Sequence, residues 1–342
     1  MKILYGVQTT GNGHIVRSRE MIEALRGYGH EVHTVLSGGK DKTLFNQAFF
    51  EPSAVFQGLS FVVRKGRLCY FQTARRLNIP RFYKDIVSFK AKDFDLVITD
   101  YEPITARIAR RNKIPSIGIG HLYAFAHSVP VPGSRPFALQ VMNRFAPVDY
   151  PLGLHWHHFN QSILPPTIPS AVRSNAAKAI QDKILVYLPF EDRRDIRETL
   201  APLTRSEFFI YADIDTSVDE NHLQWRPFSR AGFLRDLRES SGVICNGGFS
   251  LISEALHLGK KVLAKPVEGQ IEQEANVQAL LELDLGHVMR RLDTTSILKW
   301  SRLAPGRPQN YPDVISKVAE WIDSRSFEDR QALVRSVWKD TR

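Results

Sequence analysis

Cysteine is nearly absent: Cys69 and Cys245 are the only two in 342 residues, and they lie far apart. Neither a disulfide framework nor a Cys-based zinc site is therefore indicated. No stretch approaches the ~20 consecutive apolar residues a helix needs to cross a bilayer. A cleavable leader is not expected, because Met1-Lys2-Ile3-Leu4-Tyr5-Gly6-Val7 carries one charged side chain and reaches Thr9-Thr10-Gly11-Asn12-Gly13 almost at once. That pattern predicts a first β-strand instead. Internal repeats and low-complexity tracts are also missing. These absences predict a cytoplasmic chain, with the inner face of the plasma membrane as a second place of work. Acidic residues are in deficit, 36 Asp and Glu against 46 Lys and Arg, for a formal charge of +10. Such an excess favours phospholipid headgroups, nucleic acid or a phosphorylated substrate without choosing among them, and a solvated basic surface accounts for it equally well.

What is present is alternation of strand and helix patterns. Lys2–Gln8 predicts a strand, residues 14–28 a helix with Ile15, Ile22, Leu25 and Tyr28 at helical spacing, and Glu31–Leu36 the next strand. A strand-helix-strand unit of this length implies a parallel sheet with a right-handed crossover. It recurs at Asp95–Thr99, Ile104–Asn112 and Ile114–Ile119. Between the units, Ser60–Val63 and Leu68–Phe71 flank the turn Arg64-Lys65-Gly66-Arg67 and predict a basic hairpin or loop. Leu164-Pro165-Pro166-Thr167-Ile168-Pro169 suits neither a helix nor a central strand, since proline lacks the amide donor. A second series then follows, with strands at Lys183–Pro189, Phe208–Ala212, Gly242–Cys245 and Lys261–Ala264 and a helical C-terminus at Asp313–Asp323 and Phe327–Trp338. The expected architecture is α/β: two Rossmann-like, doubly wound domains facing across a cleft that holds the ligand. The boundaries are 1–162, a linker at 163–181, 182–322, and a C-terminal helix at 323–342 that packs back on the first domain.

The chemistry concentrates late in the chain. In Gly242-Val243-Ile244-Cys245-Asn246-Gly247-Gly248-Phe249-Ser250 a short strand runs into two glycines and a helix start. Unpaired amides and the positive dipole end make that a diphosphate site, although Gly-Gly before a helix is often only a turn. Glu254 stands one turn into the helix, within reach of a ribose; the plainer account is a helix-start carboxylate. The loop Val267-Glu268-Gly269-Gln270-Ile271-Glu272-Gln273 presents polar side chains after the next strand, where open α/β sheets bind ligands.

The run from Asn246 to Asn276 resembles the C-terminal signature of inverting GT-B glycosyltransferases, above all the bacterial peptidoglycan N-acetylglucosaminyltransferase group and the UDP-glycosyltransferases. The resemblance implies that Gly247, Gly248 and Ser250 hold the diphosphate, Glu254 the ribose, and Gln270 and Gln273 the donor sugar, with Asn246 and Phe249 also counted among the donor-binding residues. Arg226 and Phe228 resemble the segment facing the base, usually uracil. It further implies a UDP-sugar, either UDP-GlcNAc or another UDP-hexose, as substrate, an inverting transfer to an acceptor hydroxyl on a lipid-linked or cell-envelope glycan, no cofactor and no metal. Thr10-Gly11-Asn12-Gly13-His14 resembles the Gly-rich loop ending in histidine that follows the first strand in such families, with fewer glycines here.

His14 is the expected base, since an imidazole titrates near working pH. Asp100, at the end of its strand, is the expected partner, with Glu102 competing; helix capping explains either carboxylate nearly as well. His155, His157 and His158, and the Asp213-Ile214-Asp215 triplet, are read as structural. Arg64, Lys65, Arg67, Arg75, Arg76 and Arg81, interleaved with Phe61, Tyr70, Phe71, Phe82, Tyr83 and Phe89, suit a membrane surface carrying a lipid acceptor. They also suit nucleic acid or a basic outer helix face over aromatic core positions. Asn12, Gly13, Arg64 and Arg67 are the candidate acceptor residues. Three other functions stay open: sugar transfer to nucleic acid, a UDP-sugar epimerase using Glu102 and Glu268, and a non-enzymatic nucleotide- or nucleic-acid-binding module.

Overall fold

The computed structural model describes residues 1–38, 47–50, 54–59, 63–69, 72–73, 75, 77–133, 136–173 and 178–339. They build two seven-stranded sheets. The first runs β3 (Ala54–Phe56), β2 (Glu31–Ser37), β1 (Lys2–Gln8), β6 (Leu96–Asp100), β7 (Ser116–Gly120), β8 (Tyr150–Leu154) and β9 (Ile163–Leu164). All its pairings are parallel. The second runs β12 (Val218–Glu220), β13 (Leu223–Pro227), β11 (Glu207–Ala212), β10 (Lys183–Tyr187), β14 (Gly242–Asn246), β15 (Lys261–Lys265) and β16 (His287–Val288). Only β12 is antiparallel there. The two-stranded hairpin β4 (Val63–Arg64) and β5 (Arg67–Leu68) stands apart.

Strands covered on both faces read as near-continuous apolar runs, and β1 does from Ile3 to Val7. Ile3, Tyr5 and Val7 join the core under helix Asn12–Gly27. Leu4, on the opposite face, packs with Phe82 and Ile86 of helix Ile79–Ser88 and with Ile104 and Ile108 of helix Pro103–Asn112. The first core runs without a break into the second domain through Phe249, Ile252 and Val277.

Several boundaries differ from expectation. Ile163 and Leu164 are not linker but an edge strand, a place where the following Pro165 and Pro166 do no harm. The return to the first domain begins one helix early. Val314–Asp323 already packs on Asn12–Gly27, and Arg330–Lys339 continues onto β9, where Trp338 Nε1 donates to the Ile163 carbonyl at 2.7 Å. The basic hairpin is present with a turn of only Lys65-Gly66; positions 60–62, 70, 71 and 76 lie outside the described residues. His155, His157 and His158 follow β8 rather than alternating along a strand.

The 3-10 helix His121–Ala126 lies on β8 at the C-terminal edge of the first sheet. A Cβ on Gly153 would stand 2.7 Å from the Ala124 backbone, so only glycine lets the two approach. Gly153→Ala is expected to cost about 1–3 kcal/mol by forcing that helix outward, read as a lowered midpoint in urea unfolding. An unchanged midpoint would refute the close-approach account.

Candidate functional site

The parallel register sets Asp100, the last residue of β6, beside Val7 of β1. The chain leaving β1 turns at Gly11 into helix Asn12–Gly27 and carries His14 back over the same sheet edge. His14 Nδ1 lies 2.8 Å from Asp100 Oδ1. Arg17, one turn further, donates to Oδ2 through Nε at 2.9 Å and to Oδ1 through Nη2. Ser18 Oγ adds a bond of 3.0 Å to Oδ2. The carboxylate is fully buried, and burial alone would raise its pKa; the charges of Arg17 and His14 outweigh that and hold it below the usual range. Glu102, the competing carboxylate, is used up as the N-cap of helix Pro103–Asn112. It accepts the amides of Ile104 and Thr105 at 2.8 and 2.6 Å and the hydroxyls of Ser37 and Thr105 at 2.6 Å each.

Facing this edge is the start of helix Phe249–His257. Its N-cap is Gly248, with no side chain capping the first amides. Gly247 donates to Gln273 Oε1 at 3.1 Å, and a Cβ there would strike the Gln273 carbonyl at 2.9 Å. Gln273 Oε1 also takes the Val267 amide at 2.9 Å, so this buried amide braces both loops from beneath. Gln270 caps the next helix with its Oε1 buried and unpartnered. Asn246 gives Nδ2 to Glu191 and the Lys265 carbonyl at 3.1 and 3.0 Å, while its Oδ1 stays unpartnered. Glu254 is 5 % exposed, and burial raises its pKa. Its Oε2 has no partner, and Arg230 stands 3.9 Å from Oε1. With Arg17, Glu20 and Ser250, Glu254 lines a narrow cavity between the two helices.

The two helix starts touch: a Cβ on Gly13 would fall 2.3 Å from Ser250 Oγ. Asn12 Nδ2 reaches the Tyr187 hydroxyl at 3.4 Å. Phe228, 37 % exposed, sets its ring 5.8 Å from that of Tyr187. Arg226 is drawn aside, bonded to Asp219 at 2.5 Å and to Gln224 at 2.8 Å. Arg67 pairs with Glu268 at 2.7 Å; the Arg64 side chain lies outside the described residues.

Sequence reasoning missed the residues joining the halves. His121 Nε2 meets Asn276 Oδ1 at 2.5 Å, Asn276 Nδ2 donates to the Gly247 carbonyl at 2.8 Å, and the His121 ring stacks on Phe249 at 4.0 Å. Trp156 Nε1 donates to Ser253 at 2.8 Å. Glu191 and Lys265, paired at 2.8 Å, were missed as well. A histidine directly after the β7 strand end was the available signal, since the C-terminal strand ends of a parallel sheet line the ligand cleft.

Two sheets of this order, with a histidine–carboxylate pair facing an uncapped helix start, define a GT-B glycosyltransferase. A family model described as "Glycosyl transferase family 1" matches residues 1–131 and 155–303, and the chain belongs to that family. Solved structures agree on the fold. The glycotransferase of kitacinnamycin superposes with a TM-score of 0.56 at 13% identity, covering 100% of this chain and 99% of its own. The spinosyn rhamnosyltransferase SpnG gives 0.53 at 16%, covering 98% and 99%. The glycosyltransferase SnogD from Streptomyces nogalater gives 0.53 at 15%, covering 96% of each chain. No curated protein matches.

Removing Asp100 strands the buried Arg17 charge. Asp100→Ala is therefore expected to lose about 3–5 kcal/mol, measured by denaturant unfolding at neutral pH. The carboxyl's folded pKa is depressed, so its contribution is present above the unfolded value and fades as pH falls through the folded one. The gap between wild type and variant should accordingly narrow in acid; a gap independent of pH would contradict the assignment.

Proposed function

We propose that the chain is an inverting transferase that moves a hexosyl or N-acetylhexosaminyl group from a UDP-sugar to an acceptor hydroxyl. The observation that carries this is the His14–Asp100 pair set against the open start of helix Phe249–His257. Asp100 occupies Nδ1, which leaves Nε2 to take the acceptor's proton as the hydroxyl attacks the anomeric carbon. Asp100 then stabilises the imidazolium. The departing diphosphate carries its charge onto the uncapped amides after Gly248 and the dipole behind them, a role that needs neither metal nor cofactor. Glu254, with a free buried oxygen, suits two ribose hydroxyls, and Phe228 beside Tyr187 suits the base. Gln270 suits the sugar, whereas Gln273 supports the turn.

For the acceptor, a lipid-linked or cell-envelope glycan at a membrane surface fits best. Between Val63 and Lys113 stand thirteen Lys and Arg against five Asp and Glu, so most of the net charge falls in this stretch. Within it, helix Ile79–Ser88 exposes Ile79, Tyr83 and Val87 at 46%, 59% and 55%. Spaced four apart, they form an apolar strip beside Arg81 and Lys84, the pattern of a helix lying in an anionic interface.

His14→Ala should lower transfer by at least ~10²-fold, the usual contribution of a general base, while the rise in melting temperature caused by UDP persists. Undiminished turnover would remove His14 from the mechanism. Tyr83→Ser with Val87→Ser should reduce co-sedimentation with vesicles containing phosphatidylglycerol and leave UDP binding intact. Equal sedimentation of the variant, or tighter salt-dependent binding to single-stranded DNA than to vesicles, would favour the competing acceptors.

A further inference from the structure

The hairpin β4–β5 belongs to the first domain in sequence yet bonds to the second. Its two turn residues, Lys65 and Gly66, both have positive φ, 45° and 69°, the geometry of a tight two-residue turn matched to strand twist. The tip enters between the loop after β10 and the loop after β15. Gly66 donates to the Phe190 carbonyl at 2.6 Å, Glu268 donates to the Gly66 carbonyl at 2.7 Å, and Leu68 donates to the Glu268 carbonyl at 3.0 Å. Arg67 and Glu268 thus bridge like residues of neighbouring parallel strands. A hairpin of two residues per strand does not hold itself together in water, so these main-chain bonds are what orders it. The ion pairs at its rim, Arg67 with Glu268 and Lys65 with Asp192 at 3.9 Å, are largely exposed and add little.

Gly66 is buried against the site. A Cβ there would lie 2.6 and 2.7 Å from the two carboxylate oxygens of Glu191. Glu191 in turn holds Lys265 at 2.8 Å and Asn246 at 3.1 Å. The tip therefore rests on a polar floor at the C-terminal edge of the second sheet, and its backbone completes the loop that ends in Gln270.

We propose that the hairpin Val63–Leu68 is the first domain's contribution to the donor-sugar site: a strap whose backbone fixes the Val267–Gln270 loop, with Gly66 as its positioning residue. The assignment of that loop to the sugar rests on the function proposed above; the strapping itself does not. Gly66→Val introduces both a strained φ and a clash with Glu191, whereas Arg67→Ala removes only a rim charge. In hydrogen exchange on the free protein, Gly66→Val should speed exchange of the Leu68 and Glu268 amides at least tenfold and leave β10 and β14 protected, with Arg67→Ala close to wild type. Unchanged protection of those amides in Gly66→Val, or equal deprotection by Arg67→Ala, overturns the strap. In thermal shift, Gly66→Val should respond to UDP as wild type does and lose the extra stabilisation given by UDP-glucose or UDP-GlcNAc. A variant that keeps that extra response overturns the positioning role. Absence of any response to uridine nucleotides in the wild type would count against the proposed function, and hydrogen exchange would still decide the strap.

Discussion

The Asp100 carboxylate is the fixed point of the molecule. It sits without solvent at the end of β6 and receives Arg17, Ser18 and His14, all from one helix. A buried carboxylate is tolerable only when its lone pairs are filled and its charge is balanced. Arg17 and Ser18 supply most of that, and His14 takes what remains. The consequence for chemistry is orientation. The imidazole has one nitrogen committed and cannot rotate away without leaving a short bond to a buried anion. Arg17 also places a permanent positive charge near His14, its Nη2 lying 3.3 Å from Nδ1. The aspartate therefore serves a guanidinium and an imidazole, and the helix that carries both is docked on the sheet by the same contact.

The facing edge of the second domain is organised just as tightly, and partly by the opposite domain. The carbonyl of Gly247 is held by Asn276, which His121 holds from the first domain, while Gln273 takes the Gly247 amide. Both polar groups of one glycine are thus fixed by helix Ile271–Glu282. The His121 ring lies flat on Phe249, and burial pushes its pKa down, so it works there as a neutral aromatic slab with one polar edge. Trp156 bonded to Ser253 repeats the arrangement one turn further along the same helix. The shape of the Gly247–Gly248 turn is consequently a property of the two domains together rather than of the second domain alone.

Much of this was legible because parallel sheets put their chemistry at strand ends. Once β1, β6 and β14 were recognised as apolar runs, His14, Asp100 and Asn246 followed from position. Elements with mixed signals were not legible. β8 reads Tyr-Pro-Leu-Gly-Leu, where proline and glycine mask a strand; Pro151 is accommodated, and Gly153 is needed for the approach of Ala124. β13, Leu-Gln-Trp-Arg-Pro, hides because it is short, half polar and closed by a proline. The fate of individual side chains was harder still. Nothing in the string distinguishes Gln273, turned inward as a brace, from Gln270, or shows that Arg226 prefers Asp219 and Gln224. Glu191 and Lys265 lie 74 positions apart, and only the sheet order brings them together.

The first turns of the two facing helices are in contact at Gly13 and Ser250. Under the function proposed above, a diphosphate at this helix start requires the two turns to part. Such a motion would be resisted by the shared core at Phe249, Ile252 and Val277 and by specific ties, among them the His121–Asn276 bond, the Trp156–Ser253 bond, and the main-chain bonds of Gly66 and Leu68 to the second domain. Exposed ion pairs would yield gradually as salt screens them. Buried and main-chain hydrogen bonds do not: each is made or lost whole, and leaving one unmet costs on the order of 1–3 kcal/mol. Opening should therefore be all-or-none, and a bound diphosphate would favour it by offering the uncapped amides after Gly248 the partner they lack. The glycines at positions 13, 66 and 247 then share one reason to be there. Each marks a place where backbone lies against a neighbouring element with no room for a side chain: Ser250 of the other domain for Gly13, Glu191 of the other domain for Gly66, and Gln273 of the adjoining helix for Gly247.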